Sequence, residues 1–328
     1  LTTNREVLKM KKIAVLSSGG DCPGMNAAIR AVVRTGLFHG LEVWGIERGY
    51  AGLLEGQFIP MNLSSVGGII QRGGTILKTS RSNEFKTKKG LKIALKMLGE
   101  FKIDGLITIG GDGTLRGALD LSLLGMKTIG IPATIDNDLY KTDMSIGVDT
   151  ALNTVLEAID KIKDTASSHQ RAFIIEVMGR NSGYLSLVSG IAGGVEEIII
   201  PEIDYNLKDI SLKLKKGYQR GKTHCIVVIA EGVDKTYEIA RYLKDKIGFE
   251  TRVTILGYLQ RGGSPTVFDR LLASRLGVAA VEHILKGETS KMVGLIGNDI
   301  EATELKTVLS KQKQIDQSMY DLSQILAR

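Results

Sequence analysis

The chain has 328 residues, 43% of them apolar, 24% charged and only 5% aromatic, with a formal net charge of +7. That is enough apolar material for two lobes with cores of their own and excludes wholesale disorder. A basic balance dispersed along the chain, with few aromatics to stack on bases, speaks for a solvated basic surface and anionic small molecules and against nucleic acid. Cys22 and Cys225 stand far apart, without CxxC or metal-type spacing, which excludes a disulfide framework and structural zinc and fits a reducing cytoplasm. No run approaches the about 20 apolar residues that span a bilayer. Residues 1–9 lack a signal-peptide core, and with Met10-Lys11-Lys12 ahead of the first strand they read as an upstream extension.

In chain order, Lys12–Ser17 reads as a buried strand running into the glycine loop Gly19-Gly20-Asp21-Cys22-Pro23-Gly24, and Met25–Phe38 has helical periodicity. Strand, glycine loop and helix make a phosphate cradle, because bare backbone N–H groups approach an anion and the helix dipole favours it. The loop is neither a Rossmann nor a P-loop fingerprint, so a tight connection remains the plain alternative. Arg30 and Arg34 share one face of that helix, as a solvated pair or an anion site. Glu42–Ile46 reads as a second strand, and Arg48-Gly49-Tyr50 as a glycine turn holding an aromatic. Next come two loop-like segments with arginines, Gln71-Arg72-Gly73-Gly74-Thr75 and Thr79-Ser80-Arg81-Ser82, then a helix over 88–101. Strands are predicted at 105–109 and 127–131. Beyond them alternate a helix at 147–163, a strand Ala172–Val177, a helix at 183–191, a strand at 197–200 and a helix Leu207–Gln219. The series closes with a strand Cys225–Ala230, a helix at 237–246, a strand at 251–256 and a helix at 268–285. Alternation of this kind implies an α/β fold with parallel sheets.

Chemistry gathers at two strand ends. Gly110-Gly111-Asp112-Gly113-Thr114 sets one aspartate among glycines, where amides can receive phosphates and the carboxylate can hold Mg²⁺ beside phosphate oxygens. Unrelated nucleotide kinases carry the same motif, so it speaks for a nucleotide more than for an acceptor. Pro132-Ala133-Thr134-Ile135-Asp136-Asn137-Asp138 is sharper: extended backbone puts Thr134, Asp136 and Asp138 on a common side, and a carboxylate beside a hydroxyl can act as general base. The plain alternative is an Asx-turn with capping aspartates. Cationic clusters stand at three further strand boundaries: Ser167-Ser168-His169-Gln170-Arg171, Met178-Gly179-Arg180, and the stretch from Arg252 to Arg261; Glu231 ends another strand.

With these residues in place the chain closely resembles the bacterial ATP-dependent 6-phosphofructokinases. GGDCPGMNAAIR, GGT, GGDGT, PATIDND, IGVDTALNT, DTASSHQR, EVMGR, AEG and LGYLQRGGSP occur in the family's order from about Met10 to the C-terminus. The resemblance implies two doubly wound, mostly parallel lobes flanked by helices: residues 1–147 with about 260–310 as a larger ATP-binding lobe, and 148–259 with about 311–328 as a smaller sugar-phosphate lobe. It implies Mg-ATP and fructose 6-phosphate as substrates and a cytoplasmic homotetramer with active sites shared between subunits. By the same token ATP meets Gly20, Arg81, Ser82, Gly111, Asp112, Gly113 and Thr114, with Asp112 the Mg²⁺ aspartate. Thr134, Ile135 and Asp136 meet the attacking hydroxyl, with Asp136 as base, and Arg81 and Arg180 neutralise the transferring group. Met178, Gly179, Arg180 and Glu231 surround the sugar; Arg171, Arg252, Tyr258 and Arg261 meet its 6-phosphate, Arg171 and Arg252 from a neighbouring subunit.

Departures from the family pattern carry expectations of their own. Gly113 and Ala133 stand where pyrophosphate-using relatives carry Asp and Lys, which favours ATP, although Ala133 in place of glycine implies some cost in ATP affinity. Tyr258 in place of His implies a raised KM for fructose 6-phosphate. Arg30, Arg34, Gly194, Glu196, Arg220 and Lys222 match the family's effector site for ADP or phosphoenolpyruvate, but Leu63 and Lys163 replace arginines there, which implies weakened regulation. The rival readings are a pyrophosphate-dependent enzyme and a catalytically silent nucleotide or sugar-phosphate sensor.

Overall fold

The computed structural model describes residues 10–169, 171–247 and 250–327, so the expected extension at 1–9 and Gln170 of the serine-rich cluster lie outside the described residues. In chain order the elements are β1 (Lys12–Ser17), α1 (Met25–Phe38), β2 (Glu42–Ile46), α2 (Gly49–Glu55), β3 (Phe58–Met61), α3 (Lys88–Glu100), β4 (Gly105–Gly110), α4 (Asp112–Leu123), β5 (Thr128–Pro132) and α5 (Val148–His169). They continue as β6 (Ala172–Val177), α6 (Tyr184–Ala192), β7 (Glu197–Ile199), α7 (Leu207–Gln219), β8 (Cys225–Ala230), α8 (Thr236–Ile247), β9 (Thr251–Ile255), α9 (Val267–Leu285), β10 (Lys291–Ile296), β11 (Asp299–Glu304), α10 (Leu305–Val308) and α11 (Gln317–Leu326). Two compact units result. The first takes the described part of Leu1–Thr134 with Leu139–Asp149 and Arg261–Lys313; the second takes Ile135–Asp138, Thr150–Gln260 and the described part of Gln314–Arg328.

The first unit holds a seven-stranded sheet in the order β11-β10-β5-β4-β1-β2-β3. Its inner pairs are parallel and only the edges, β2 with β3 and β10 with β11, are antiparallel. Every residue of β4 and β5 is buried, because helices cover both faces of such a sheet and a strand inside it has no side to give to water. Strand order reverses between β1 and β4, so the loops after these two strands, 18–24 and 111–114, diverge from one switch point where doubly wound sheets bind ligands. The second unit holds four parallel strands in the order β7-β8-β6-β9, and its order reverses at β6. Met178-Gly179-Arg180 comes directly after that strand. The α/β class with mostly parallel sheets flanked by helices is therefore as expected.

Several elements differ from the sequence-based expectation. Arg48-Gly49-Tyr50 is no isolated turn but the left-handed entry (Arg48 φ 57°) to helix α2. Helix α5 runs to His169, past the expected end at 163, because Ser167 and Ser168 donate to the carbonyl of Asp164 and keep the polar last turn helical. Elements α2, β3, β10, β11, α10 and α11 carry no strong periodicity and had no predicted counterpart.

Gly24 at the start of α1 is required twice over. Its φ is 103°, and a Cβ there would lie 2.6 Å from Ile146 Cγ2. Gly40 (φ 74°) has open space around it instead. Gly24→Ala is expected to cost about 2–4 kcal/mol, from backbone strain plus overpacking, and Gly40→Ala only about 1–2 kcal/mol from strain alone; urea midpoints of the two variants check the difference.

Candidate functional site

In the first unit three segments meet behind the switch point. Ser18 ends the run of buried residues that begins in β1, and its carbonyl accepts the Thr114 hydroxyl at 2.9 Å. Gly110 must be glycine for this approach, since a Cβ would fall 2.5 Å from the Ser18 carbonyl oxygen and 2.3 Å from Thr114 Oγ1. The third segment, 75–82, is drawn in by Thr79, which donates to the carbonyl of Gly19 (2.7 Å), and by Ser17, whose hydroxyl lies 2.7 Å from that of Thr75. Asn26 at the start of α1 latches the stretch before it: its amide donates to the carbonyls of Arg72 and Gly73, and its oxygen accepts from Ile76 N–H. Sequence reasoning passed over Asn26, and its only signal was a polar residue on a buried helix face. Gly20, Arg81-Ser82 and Gly111 to Thr114 are thus brought together.

Individual roles sort themselves by burial. Asp112 is the first residue of α4, exposed, where an acidic group suits the helix dipole. Gly113 faces open space. Thr114, in contrast, is buried, and its hydroxyl is engaged by Ser18. Ser82 accepts from Phe85 N–H and so shapes the turn it sits in. Tyr50 lies beneath α4, stacked on Phe85 at 3.9 Å and donating to the carbonyl of Thr114; burial pushes its phenol well above the usual range, so it stays a neutral donor. Ala133 is buried and bridged to Ile146. Arg261 belongs to this unit: its guanidinium meets the Asp21 carboxylate at 2.5 Å and the Asp21 carbonyl at 3.2 Å, beside Gly20.

In the second unit the segment of Asp136 is not extended. It bends at Ile135 and Asp136, and Asn137 is left-handed (φ 50°), so the common side expected for Thr134, Asp136 and Asp138 does not arise by alternation. Asp136 is nonetheless well placed for chemistry: its side chain is only 11% exposed and its Oδ2 lies 3.6 Å from Arg180 Nε. Arg180 itself is left-handed (φ 53°), after Gly179 at φ 145°. That strained turn is held by Glu231, whose Oε1 accepts from both Gly179 N–H (3.2 Å) and Arg180 N–H (2.6 Å). The register Val177↔Ala230 is why Glu231 reaches it, since both segments leave strands that end side by side. Gln260, fully buried and missed from sequence, accepts from Met178 N–H and donates to the Gly257 carbonyl, tying this turn to the short 3-10 turn that bears the exposed Tyr258.

Two predicted sugar-site residues are not part of this cluster. Arg171 precedes β6 and Arg252 is the second residue of β9, so both stand at the amino-terminal edge of the sheet, while Met178, Arg180 and Glu231 stand at its carboxyl edge. The six residues of β6 put roughly 20 Å between the edges, at about 3.3 Å per residue.

The effector set divides as well. Arg30 and Arg34 lie on α1, and exposed Leu63 lines an about 550 Å³ cavity together with Arg34, all in the first unit. In the second, Glu196 pairs with Lys222 at 3.0 Å and accepts from Ile226 N–H, on the wall of an about 710 Å³ cavity that Arg220 also lines. Lys163 donates to the carbonyls of Gly193 and Gly194 at the end of α6. Cys225 lines the same cavity; burial, reinforced by the Glu196 carboxylate, pushes its thiol up to about 12, so it is no nucleophile at neutral pH.

Among the described residues no three His, Cys, Asp or Glu side chains gather to hold a metal ion. Asp112 offers one hard oxygen, which suits a Mg²⁺ that takes most of its ligands from phosphates and water.

Known proteins share this framework. A family model described as phosphofructokinase matches residues 12–284. The ATP-dependent 6-phosphofructokinase of Halothermothrix orenii is 56% identical over 97% of this chain and 100% of its own, and that of Clostridioides difficile is 54% identical over the same shares. Among solved structures, phosphofructokinase from Saccharomyces cerevisiae has a TM-score of 0.87 and 35% identity, covering 97% of this chain and 48% of that one, so the chain spans about half the length of the yeast chain. Likeness of this extent in sequence, reaching from β1 through α9 and agreeing with the independent likeness in fold, means that the chain belongs to the phosphofructokinase family.

Proposed function

We propose that the protein transfers the γ-phosphoryl group of ATP to the 1-hydroxyl of fructose 6-phosphate, giving ADP and fructose 1,6-bisphosphate, a committed step of glycolysis. One observation carries this reading: relatives that share over half of the sequence, along their whole length, are ATP-dependent 6-phosphofructokinases. The open space at Gly113 supports ATP over pyrophosphate, since nothing among the described residues lies within 4 Å of where a Cβ there would stand.

Asp136 takes the proton of the 1-hydroxyl onto its carboxylate as that oxygen bonds to phosphorus and the bond to the ADP oxygen breaks. Arg180, 3.6 Å from Asp136, offers its positive charge to the transferring group, together with Arg81. Thr134 and Ile135 orient the hydroxyl. Gly20, Ser82 and Gly111 to Thr114 form the ATP loop, with backbone N–H groups binding phosphates and the Thr114 hydroxyl bracing the loop from behind. Asp112 holds Mg²⁺, which supplies positive charge to the nucleotide phosphates. Met178, Gly179 and Glu231 bind the sugar, and Arg261 and Tyr258 its phosphate. The first unit is read as the ATP-binding lobe and the second as the sugar-phosphate lobe.

Arg171 and Arg252 complete the phosphate site of a second copy of the chain. Their position at the far edge of the sheet, roughly 20 Å from Glu231 along β6, supports sharing between copies, and a cytoplasmic homotetramer is the assembly we assign. No helix of the described residues is long and apolar enough to cross a membrane. For the effector site, the engagement of Lys163 with two backbone carbonyls and the apolar Leu63 support a weak response to ADP or phosphoenolpyruvate.

The first test is ADP release with Mg-ATP. Turnover is expected only when fructose 6-phosphate is present, and none when pyrophosphate replaces ATP; sugar-independent or pyrophosphate-only turnover refutes the assignment. Asp136→Asn is expected to lower kcat by at least ~10²-fold with both KM values within about threefold, by steady-state kinetics. The velocity curve against fructose 6-phosphate is expected to be hyperbolic and to move less than about twofold on adding ADP or phosphoenolpyruvate; a strongly sigmoidal curve shifted by either ligand contradicts the effector reading.

A further inference from the structure

Glu250 has no assigned part in the reaction, yet it occupies a telling place. Strand β9 pairs with β6 in the register Ala172↔Thr251, and Ala172 N–H donates to the carbonyl of Glu250, so Glu250 stands beside Arg171 at the sheet edge. Its carboxylate uses both oxygens on two different arginines: Oε2 accepts from Arg171 Nε at 2.8 Å, and Oε1 from Arg252 Nη2. One anion bridging two guanidinium groups is the arrangement a phosphate ester would adopt between them, with the carboxylate in its place. The side chains are 32%, 46% and 54% exposed for Arg171, Glu250 and Arg252, so water screens the pairs and a more highly charged anion can displace the carboxylate. Arg261 shows the same design, with Asp21 as its resident carboxylate.

We propose that Glu250 is a specificity-determining residue for the acceptor: a built-in counter-anion that holds Arg171 and Arg252 side by side and yields only to a dianionic phosphate. The inference rests on the reading of these two arginines as ligands of the sugar phosphate. A dianion gains more from two guanidinium groups than the single charge of Glu250 does, whereas a monoanion gains nothing over it. Glu250 therefore raises KM for the true substrate somewhat and penalises weaker anions more.

The test compares Glu250→Gln, Glu250→Asp and Arg252→Ala in the full chain at mildly alkaline pH, measuring KM for fructose 6-phosphate, KM for ATP, and Ki for inorganic phosphate, a dianion there, and for formate, a monoanion, as competitors of the sugar. Glu250→Gln keeps an oxygen that can accept from one arginine and removes the charge. Its KM for fructose 6-phosphate and its Ki for phosphate are expected to fall about 3-fold and its Ki for formate at least 10-fold, with KM for ATP moving less than twofold, and Glu250→Asp is expected to return all of them to within about twofold of the parent. A merely structural role would raise KM in Glu250→Gln and leave the anion constants alone. If Arg252→Ala raises KM at least 10-fold and Glu250→Gln fails to lower it, the Glu250 proposal is overturned and the arginine reading stands. If Arg252→Ala leaves KM unchanged, the arginine reading fails and takes the proposal with it.

Discussion

The hydroxyl of Thr114, donated to the carbonyl of Ser18, is the bond on which the glycine-loop end of the first unit depends. It closes the turn after β4 onto the turn after β1, and it can form only because Gly110 has no side chain to keep the two backbones apart. Its consequences are all backbone chemistry. With the turns locked, the glycine loop around Gly19 and the first turn of α4 hold fixed places, and Thr79 and Asn26 bring the Arg81 segment to the same loop. A rigid set of N–H groups loses little by reorganising around an anion, which is the physical basis of electrostatic preorganisation.

The second unit solves a different problem, that of keeping cations in place where water can reach them. It does so with carboxylates. Glu231 takes two backbone N–H groups of a turn that no ordinary residue adopts willingly, and its negative charge offsets the strain of Arg180 at φ 53°. The result is an exposed Arg180 whose guanidinium stands 3.6 Å from the Asp136 carboxylate. Glu250 with Arg171 and Arg252, and Glu196 with Lys222, repeat the theme. Under the Glu250 proposal, an incoming phosphate at Arg171 and Arg252 exchanges with a carboxylate rather than with bulk water alone.

How much of this the sequence displays depends on what each residue had to satisfy. The buried strands β1, β4, β5 and β8 are legible because a strand covered on both faces must be apolar throughout, and no other demand competes. The site is legible where function leaves residues that a fold alone would not choose, glycines and an aspartate after β4, and a run of Thr, Asp and Asp after β5. What stays hidden is polar and structural. Nothing in the letters distinguishes a Thr114 that faces a ligand from one whose hydroxyl bridges two loops, and Asn26 and Gln260 look like ordinary polar residues until their partners, distant in sequence, are known. Helix α2 is hidden for another reason: its two glycines weaken the helical signal, while its burial against the core supplies the stability that propensity does not.

Strand direction finally bears on assembly. In a parallel sheet every carboxyl end lies at one edge, so residues meant for one pocket should come after strands, as Met178, Arg180 and Glu231 do. Arg171 and Arg252 come before or at the start of their strands and sit at the other edge, roughly 20 Å away at about 3.3 Å per residue, farther than any side chain extends. A half-buried and an exposed arginine collected there, and paired to a single glutamate, contribute nothing to the core. Under the proposed function their use is to a neighbouring copy, whose own carboxyl-edge cluster has Arg180 and Glu231 in place but neither of these cations. Under that reading, the need for a second copy arises from the handed, one-way construction of the sheet, before any interface is considered.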